Sequence, residues 1–134
     1  MNEELARRVW HRARDKCEYC LLPKALSIMP FEIDHVIPRK HGGLTIEANL
    51  ALACFYCNRY KGSNVAGIDP ETRLLSRLFD PRRDDWQQHF QWREILIKGL
   101  TAIGRTTIEV LRLNHPETVL VRDALRDEGV FPYY

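Results

Sequence analysis

Two kinds of chemistry stand out in the sequence. The stretch from Ile33 to Gly43, "IDHVIPRKHGG", places Asp34 and His35 side by side at the end of an apolar run. A carboxylate can hold a metal ion, and an imidazole titrates near ~6.5, so the pair can bind a cation and move a proton. Around it stand "CEYC", with Cys17 and Cys20, and "CFYCNRYKG", with Cys54 and Cys57. Paired C-x2-C knuckles let two sulfurs from each converge on one tetrahedral Zn²⁺. Four buried apolar thiols would not pair so regularly. A redox dithiol is opposed by the presence of two such pairs and by the lack of a βαβ context.

The insert between the knuckles runs 33 residues, from Leu21 to Ala53, more than a zinc ribbon needs. A metal there would pin the ends of a segment holding Asp34, His35, His41 and Asn49, with Asn58 directly after the last cysteine. Singly, these residues have ordinary readings. His35 could be a hydrogen-bonded histidine at a strand end, Asp34 a turn or cap, Asn49 an N-cap and Asn58 a helix-end cap. Arg39, Lys40, Arg59 and Lys61 could each be solvated charges.

The elements that must position them follow from periodicity. Leu5, Ala6, Val9, Trp10 and Ala13 predict an amphipathic helix over residues 3–15, its arginines either solvated or lining phosphates. Residues 26–37 predict a short strand ending at Ile33, with Pro30 at its start or edge. "LALACFYCNRYKG" reads as a short helix stopping at Gly62. Further on, "SNVAGIDPET" is turn-rich, and "RLLSRLF" and "REILIKGL" read as strands. "TAIGRTTIEVLRLN" reads as a helix capped by Thr101, with Gly104 arguing against it. "HPETVLVRDALRDEG" reads as a final helix, with Pro116 near N1 and Gly129 as its stop.

With 134 residues, 45% hydrophobic and 28% charged, the chain has the size and mix of one globular domain with a modest core. The expected organisation is residues 1–64 as a core with an N-terminal helix and 65–134 as an extension packed on it. A net charge of +2 does not mark a nucleic-acid binder. Residues 1–64 hold ten Lys/Arg against seven Asp/Glu, so the basic bias lies with the cysteines. Of the 20 basic residues 15 are arginine, which suits bidentate phosphate contacts. There is no signal-peptide pattern and no apolar run long enough for a membrane, so a cytoplasmic setting with reduced thiols is expected.

In order, "DHVIP", "HGG", "NL" and "CxxCNxxK" inside a four-cysteine frame resemble the HNH endonucleases of the ββα-metal (His-Me finger) group. The resemblance runs from Cys17 to Lys61. "LFDPRRDDWQQHFQW" also looks like an extension found in a branch of bacterial HNH proteins. The resemblance implies an α+β fold: a small ββα-metal core stapled by Zn²⁺ on Cys17, Cys20, Cys54 and Cys57, with helices before and after. It implies His35 as general base, Asp34 and Asn58 as ligands of a catalytic Mg²⁺ or Mn²⁺, and Asn49 as a brace on the His35 loop. Arg39, Lys40, His41, Arg59 and Lys61 would face phosphates. Many members end their triad in histidine. Asn58 makes this the HNN form, without that imidazole ligand. The implied function is metal-dependent hydrolysis of DNA, with RNA and a homodimer or partner protein left open. The alternatives are a catalytically silent zinc-stapled binding module and an interaction module of a larger assembly.

Overall fold

The computed structural model describes residues 1–132. Helix α1 (Glu3–Arg12) begins where the Asn2 side chain accepts from the Leu5 amide at 2.7 Å. It buries Val9 completely, and Trp10 stacks on Phe31 with ring centroids 6.1 Å apart. The helix stops short of residue 15 because Arg14 and Asp15 both take positive φ and turn the chain into the first cysteine knuckle. Arg12 is half-buried and engaged by the protein: it donates to the carbonyls of Glu47 and Leu50 and ties α1 to the next hairpin.

That hairpin pairs β1 (Glu32–His35) with β2 (Leu50–Ala53) antiparallel, with Asp34 opposite Ala51 and His35 opposite Leu50. Two expectations are corrected. The strand does not end at Ile33 but continues through Asp34 and His35, which therefore alternate faces. Leu50–Ala53 is not the start of a helix but a strand buried along its whole length. A short, fully apolar run fits a buried strand as well as a buried helix, and pairing with β1 decides it. The helix expected there is only α2 (Phe55–Lys61), capped by the Cys54 sulfur accepting from the Cys57 amide at 3.4 Å.

Beyond α2 come the hairpins β3–β4 (Ala66–Ile68, Leu75–Arg77) and β5–β6 (Phe90–Arg93, Leu96–Gly99), with the short α3 (Trp86–His89) between. Among the described residues the strands thus form three two-stranded antiparallel sheets. The β3–β4 hairpin is closed by Asp69. Its carboxylate accepts from the Glu71 and Thr72 amides and, bidentately at 2.9 Å, from Arg105. Arg105 holds that carboxyl far below its usual range. Helix α4 (Ala102–Leu111) is capped by the Thr101 hydroxyl on the Gly104 amide. Gly104 sits inside a helix because a Cβ there would lie 2.0 Å from the His89 carbonyl oxygen. Helix α5 (Pro116–Asp127) has Pro116 in its first turn, and Gly129 follows at φ +74°. Among the described residues the result is α+β, with five α-helices and short hairpins. No helix among the described residues is long and apolar enough to cross a membrane.

One buried cluster joins Val9, Tyr19, Leu50 and Leu52 to Phe79, Phe90 and Leu111. Trp86 donates its indole N–H to the Tyr19 carbonyl at 2.8 Å, and Arg82 pairs with Glu18, so the segment after α2 grips the first knuckle. Arg77 holds Asp84 with two bonds of 2.7 and 2.8 Å. Chiefly through Arg77, the Asp84 carboxyl is lowered to about 2. A folded value below the unfolded ~3.9 stabilises the fold above about pH 4, and this is lost as pH falls toward 2. Asp84→Asn should therefore lower the urea midpoint at pH 7, and its gap to wild type should shrink between pH 4 and 2. A gap independent of pH would rule out the Arg77–Asp84 pair as the cause.

Candidate functional site

The four cysteine sulfurs lie within 4.8 Å of one another, all buried, with Cys20 Sγ 3.7 Å from Cys54 Sγ. Four sulfurs at ~2.3 Å from a tetrahedral zinc would stand about 3.8 Å apart. The Cys20 amide donates to Cys17 Sγ at 3.5 Å, as the Cys57 amide does to Cys54. Burial pushes the Cys17 thiol well up, whereas bonds from Cys17, Cys54 and Cys57 pull Cys20 well down. A dry site of this kind cannot hold four thiolates without a cation. The cluster is positioned to bind one metal ion, and its all-sulfur donor set suits zinc.

Asp34 points to the buried face of β1 and is 6% exposed. Its Oδ2 accepts from the Tyr19 hydroxyl at 2.7 Å. The Lys61 ammonium reaches Oδ2 at 3.0 Å and Oδ1 at 3.2 Å, and donates to the His35 carbonyl at 3.1 Å. Burial raises the Asp34 carboxyl above its ordinary value, with Lys61 and Tyr19 pulling against it. Burial and the Asp34 charge also hold the Tyr19 phenol protonated, so it stays a donor. Lys61 corrects an expectation: only 1% exposed, it does not lie on a phosphate-facing surface. Asn58 lies one turn earlier on α2, three residues from Lys61 and so on the same side, and it is half-buried.

His35 lies on the other face of β1, half-buried, with Nε2 2.8 Å from Thr45 Oγ1. Its loop is clamped by one side chain. Asn49 Oδ1 accepts from the Ile37 amide, and Nδ2 donates to the carbonyls of Ile37 and Leu44, each at 2.9 Å. That closure sets Thr45, next after Leu44, against His35. Gly43 completes it, since a Cβ there would lie 1.6 Å from the Ile37 oxygen. Arg39 and Lys40 stand exposed on the turn Arg39–His41. His41 shares that turn, but its Nε2 contacts the Ser63 carbonyl at 3.1 Å and so links the loop to the end of α2. Arg59 is exposed, its guanidinium 6.0 Å from the centre of the Phe55 ring.

Lys61 thus joins the Asp34 carboxylate to the His35 backbone carbonyl while the His35 ring faces the other way on Thr45, Asn58 lies a turn before Lys61, Asn49 clamps the loop, and Arg39, Lys40 and Arg59 remain outside. Tyr19, Thr45 and the inward role of Lys61 had no signal in the residue pattern except one. Tyr19 lies between two cysteine ligands, where a large side chain is drawn inward with the sulfurs.

A small antiparallel hairpin followed by a helix, with a four-cysteine cluster at its base, is the ββα arrangement that the sequence resemblance implied. Residues 17–64 match the family model for the HNH endonuclease. The chain is also similar to the Septu protein PtuB of Bacillus thuringiensis, with 27% identity over 104 residues. The alignment covers 76% of this chain and 38% of that relative, so the chain spans well under half its length. No solved structure matches.

Elemental analysis of protein purified without added metal should find close to one zinc per chain. Stripping it, or replacing Cys57 by serine, should unfold the protein at temperatures where the loaded form is stable, because the binding energy of a structural zinc is folding energy. A stripped protein with unchanged thermal stability would refute the metal staple.

Proposed function

We propose that this chain is a metal-dependent endonuclease that hydrolyses phosphodiester bonds in DNA. Residues 1–64 would carry the chemistry and 65–134 would support it, in a cytoplasmic setting that keeps the cysteines reduced. The observation that carries the reading is the ordered setting of His35: strand-held, Thr45 on one ring nitrogen, and its loop clamped by Asn49. With Nε2 engaged, Nδ1 is the nitrogen that takes the proton from an attacking water. Thr45 fixes the ring plane, so the base does not have to be oriented during the reaction.

Asp34 and the Asn58 amide offer a carboxylate and a carbonyl, an oxygen set that fits Mg²⁺ or Mn²⁺. The Lys61 ammonium seated on both Asp34 oxygens supports that fit, since it shows cation-holding capacity at this carboxylate. When bound, such an ion supplies Lewis-acid stabilisation of charge on the phosphate and the departing 3′ oxygen. Arg39, Lys40 and Arg59 hold flanking phosphates, and the products carry a 5′-phosphate and a 3′-hydroxyl.

A second reading is favoured by the same Lys61 contact. A carboxylate already paired with a buried ammonium suits a catalytically silent zinc-stapled module that binds nucleic acid, or a partner protein, without cutting. Supercoiled plasmid separates the two. The wild type should convert it to nicked or linear forms with Mg²⁺ or Mn²⁺ and not with Zn²⁺ alone. His35→Ala should lose roughly 10²–10⁴ in rate and keep salt-dependent DNA affinity. If the two proteins behave alike on plasmid, His35 is structural and the silent module is the better reading.

A further inference from the structure

We infer that Lys61 is the cation Asp34 keeps until a divalent metal displaces it, so that Lys61 sets the metal concentration at which the site loads. This rests on the reading of Asp34 as a metal ligand. The ammonium sits 3.0 and 3.2 Å from the two carboxylate oxygens, and both groups are almost wholly out of solvent. A buried ammonium has to be paired, and this one has two anchors, the Asp34 carboxylate and the His35 carbonyl at 3.1 Å. Tyr19 is a neutral donor on Oδ2 and does not compete with a metal for charge. Lys61 does, because two cations on one dry carboxylate repel each other.

The position of Lys61 in the fold fits an exchange. It is the last residue of α2, and Gly62 follows at φ +49°, where the chain leaves the helix. Its backbone carbonyl is held by the Asn64 amide at 2.9 Å, so the side chain can shift while its Cα stays put. Released from Asp34, the ammonium keeps the His35 carbonyl within reach.

The test is calorimetric titration of zinc-loaded protein with Mn²⁺ and with Mg²⁺, beside thermal melts with and without each ion. Lys61→Met should bind Mn²⁺ roughly tenfold tighter than wild type and gain more in Tm when it is added. Asp34→Asn should abolish that binding in both the wild-type and Lys61→Met backgrounds. Should Lys61→Met fail to fold without metal, Mn²⁺ should rescue it at concentrations that leave the wild-type Tm unmoved. Lys61→Gln, which keeps a donor but no charge, should also bind more tightly than wild type. Folded Lys61→Met or Lys61→Gln binding Mn²⁺ no better than wild type would overturn the inference, as would an unfolded Lys61→Met that Mn²⁺ does not rescue. Retention of Mn²⁺ affinity in Asp34→Asn would overturn both the inference and the metal role of Asp34. Tighter Mn²⁺ binding in the variants beside a wild type that cuts no nucleic acid would remove the nuclease reading and leave the exchange standing.

Discussion

The convergence of four sulfurs is the constraint on which the rest depends. Cys17 and Cys20 end the segment that follows α1. Cys54 is the residue between β2 and α2, and its sulfur caps that helix. A cation on the cluster therefore closes the 33-residue insert at the point where strand becomes helix. Closing a loop of that length removes freedom from the unfolded chain, which matters for a core of this size. It also sets the register: with β2 anchored at Cys54, Ala51 and Leu50 are delivered to Asp34 and His35.

The buried charges follow from that closure. Tyr19 comes from the first knuckle, Asp34 from β1 and Lys61 from the end of α2. The sulfur cluster joins the first knuckle to α2 directly, and β1 comes with them by pairing with β2. Unfolded, each group is solvated and indifferent to the others. Folded, Lys61 and Tyr19 both meet on Asp34, because an unpaired charge in so dry a place is costly. The cysteine centre and the polar cluster are therefore one device, and loosening the sulfurs should cost the Asp34 environment before it costs the hairpins beyond residue 66.

Much of this was legible in the residues. Two C-x2-C pairs announced a candidate metal centre, and Thr101, Pro116 and Gly129 marked helix ends through local chemistry that needs no tertiary context, whereas the Asn2 cap of α1 went unread. The strand Leu50–Ala53 was not legible, since a buried apolar run has no period to read. The Gly104 signal pointed the wrong way, because helix propensity does not register a neighbouring carbonyl 2.0 Å from where a Cβ would stand. Lys61 was misjudged for a related reason: a lysine in sequence carries the prior of a solvated charge, and only the fold reveals a carboxylate waiting inside. Thr45 was invisible as well, since its meeting with His35 depends on a loop closed by a different residue, Asn49.

That loop decides how the exposed cations can act. Asn49 and Gly43 fix both ends of the stretch from Ile37 to Leu44, and His41 bonds it to Ser63 just past α2. Arg39 and Lys40 therefore ride on a turn held at three points, instead of on a mobile tip. Arg59, on α2 itself, has its guanidinium near the Phe55 ring. Rigid cations lose less entropy in meeting phosphates than cations on mobile segments do. A chain of net charge +2 has little long-range attraction to offer a polyanion. What it offers is a few cations carried on backbone that is fixed relative to His35, and on the proposed reading contacts from them to flanking phosphates would set where on the backbone the imidazole falls.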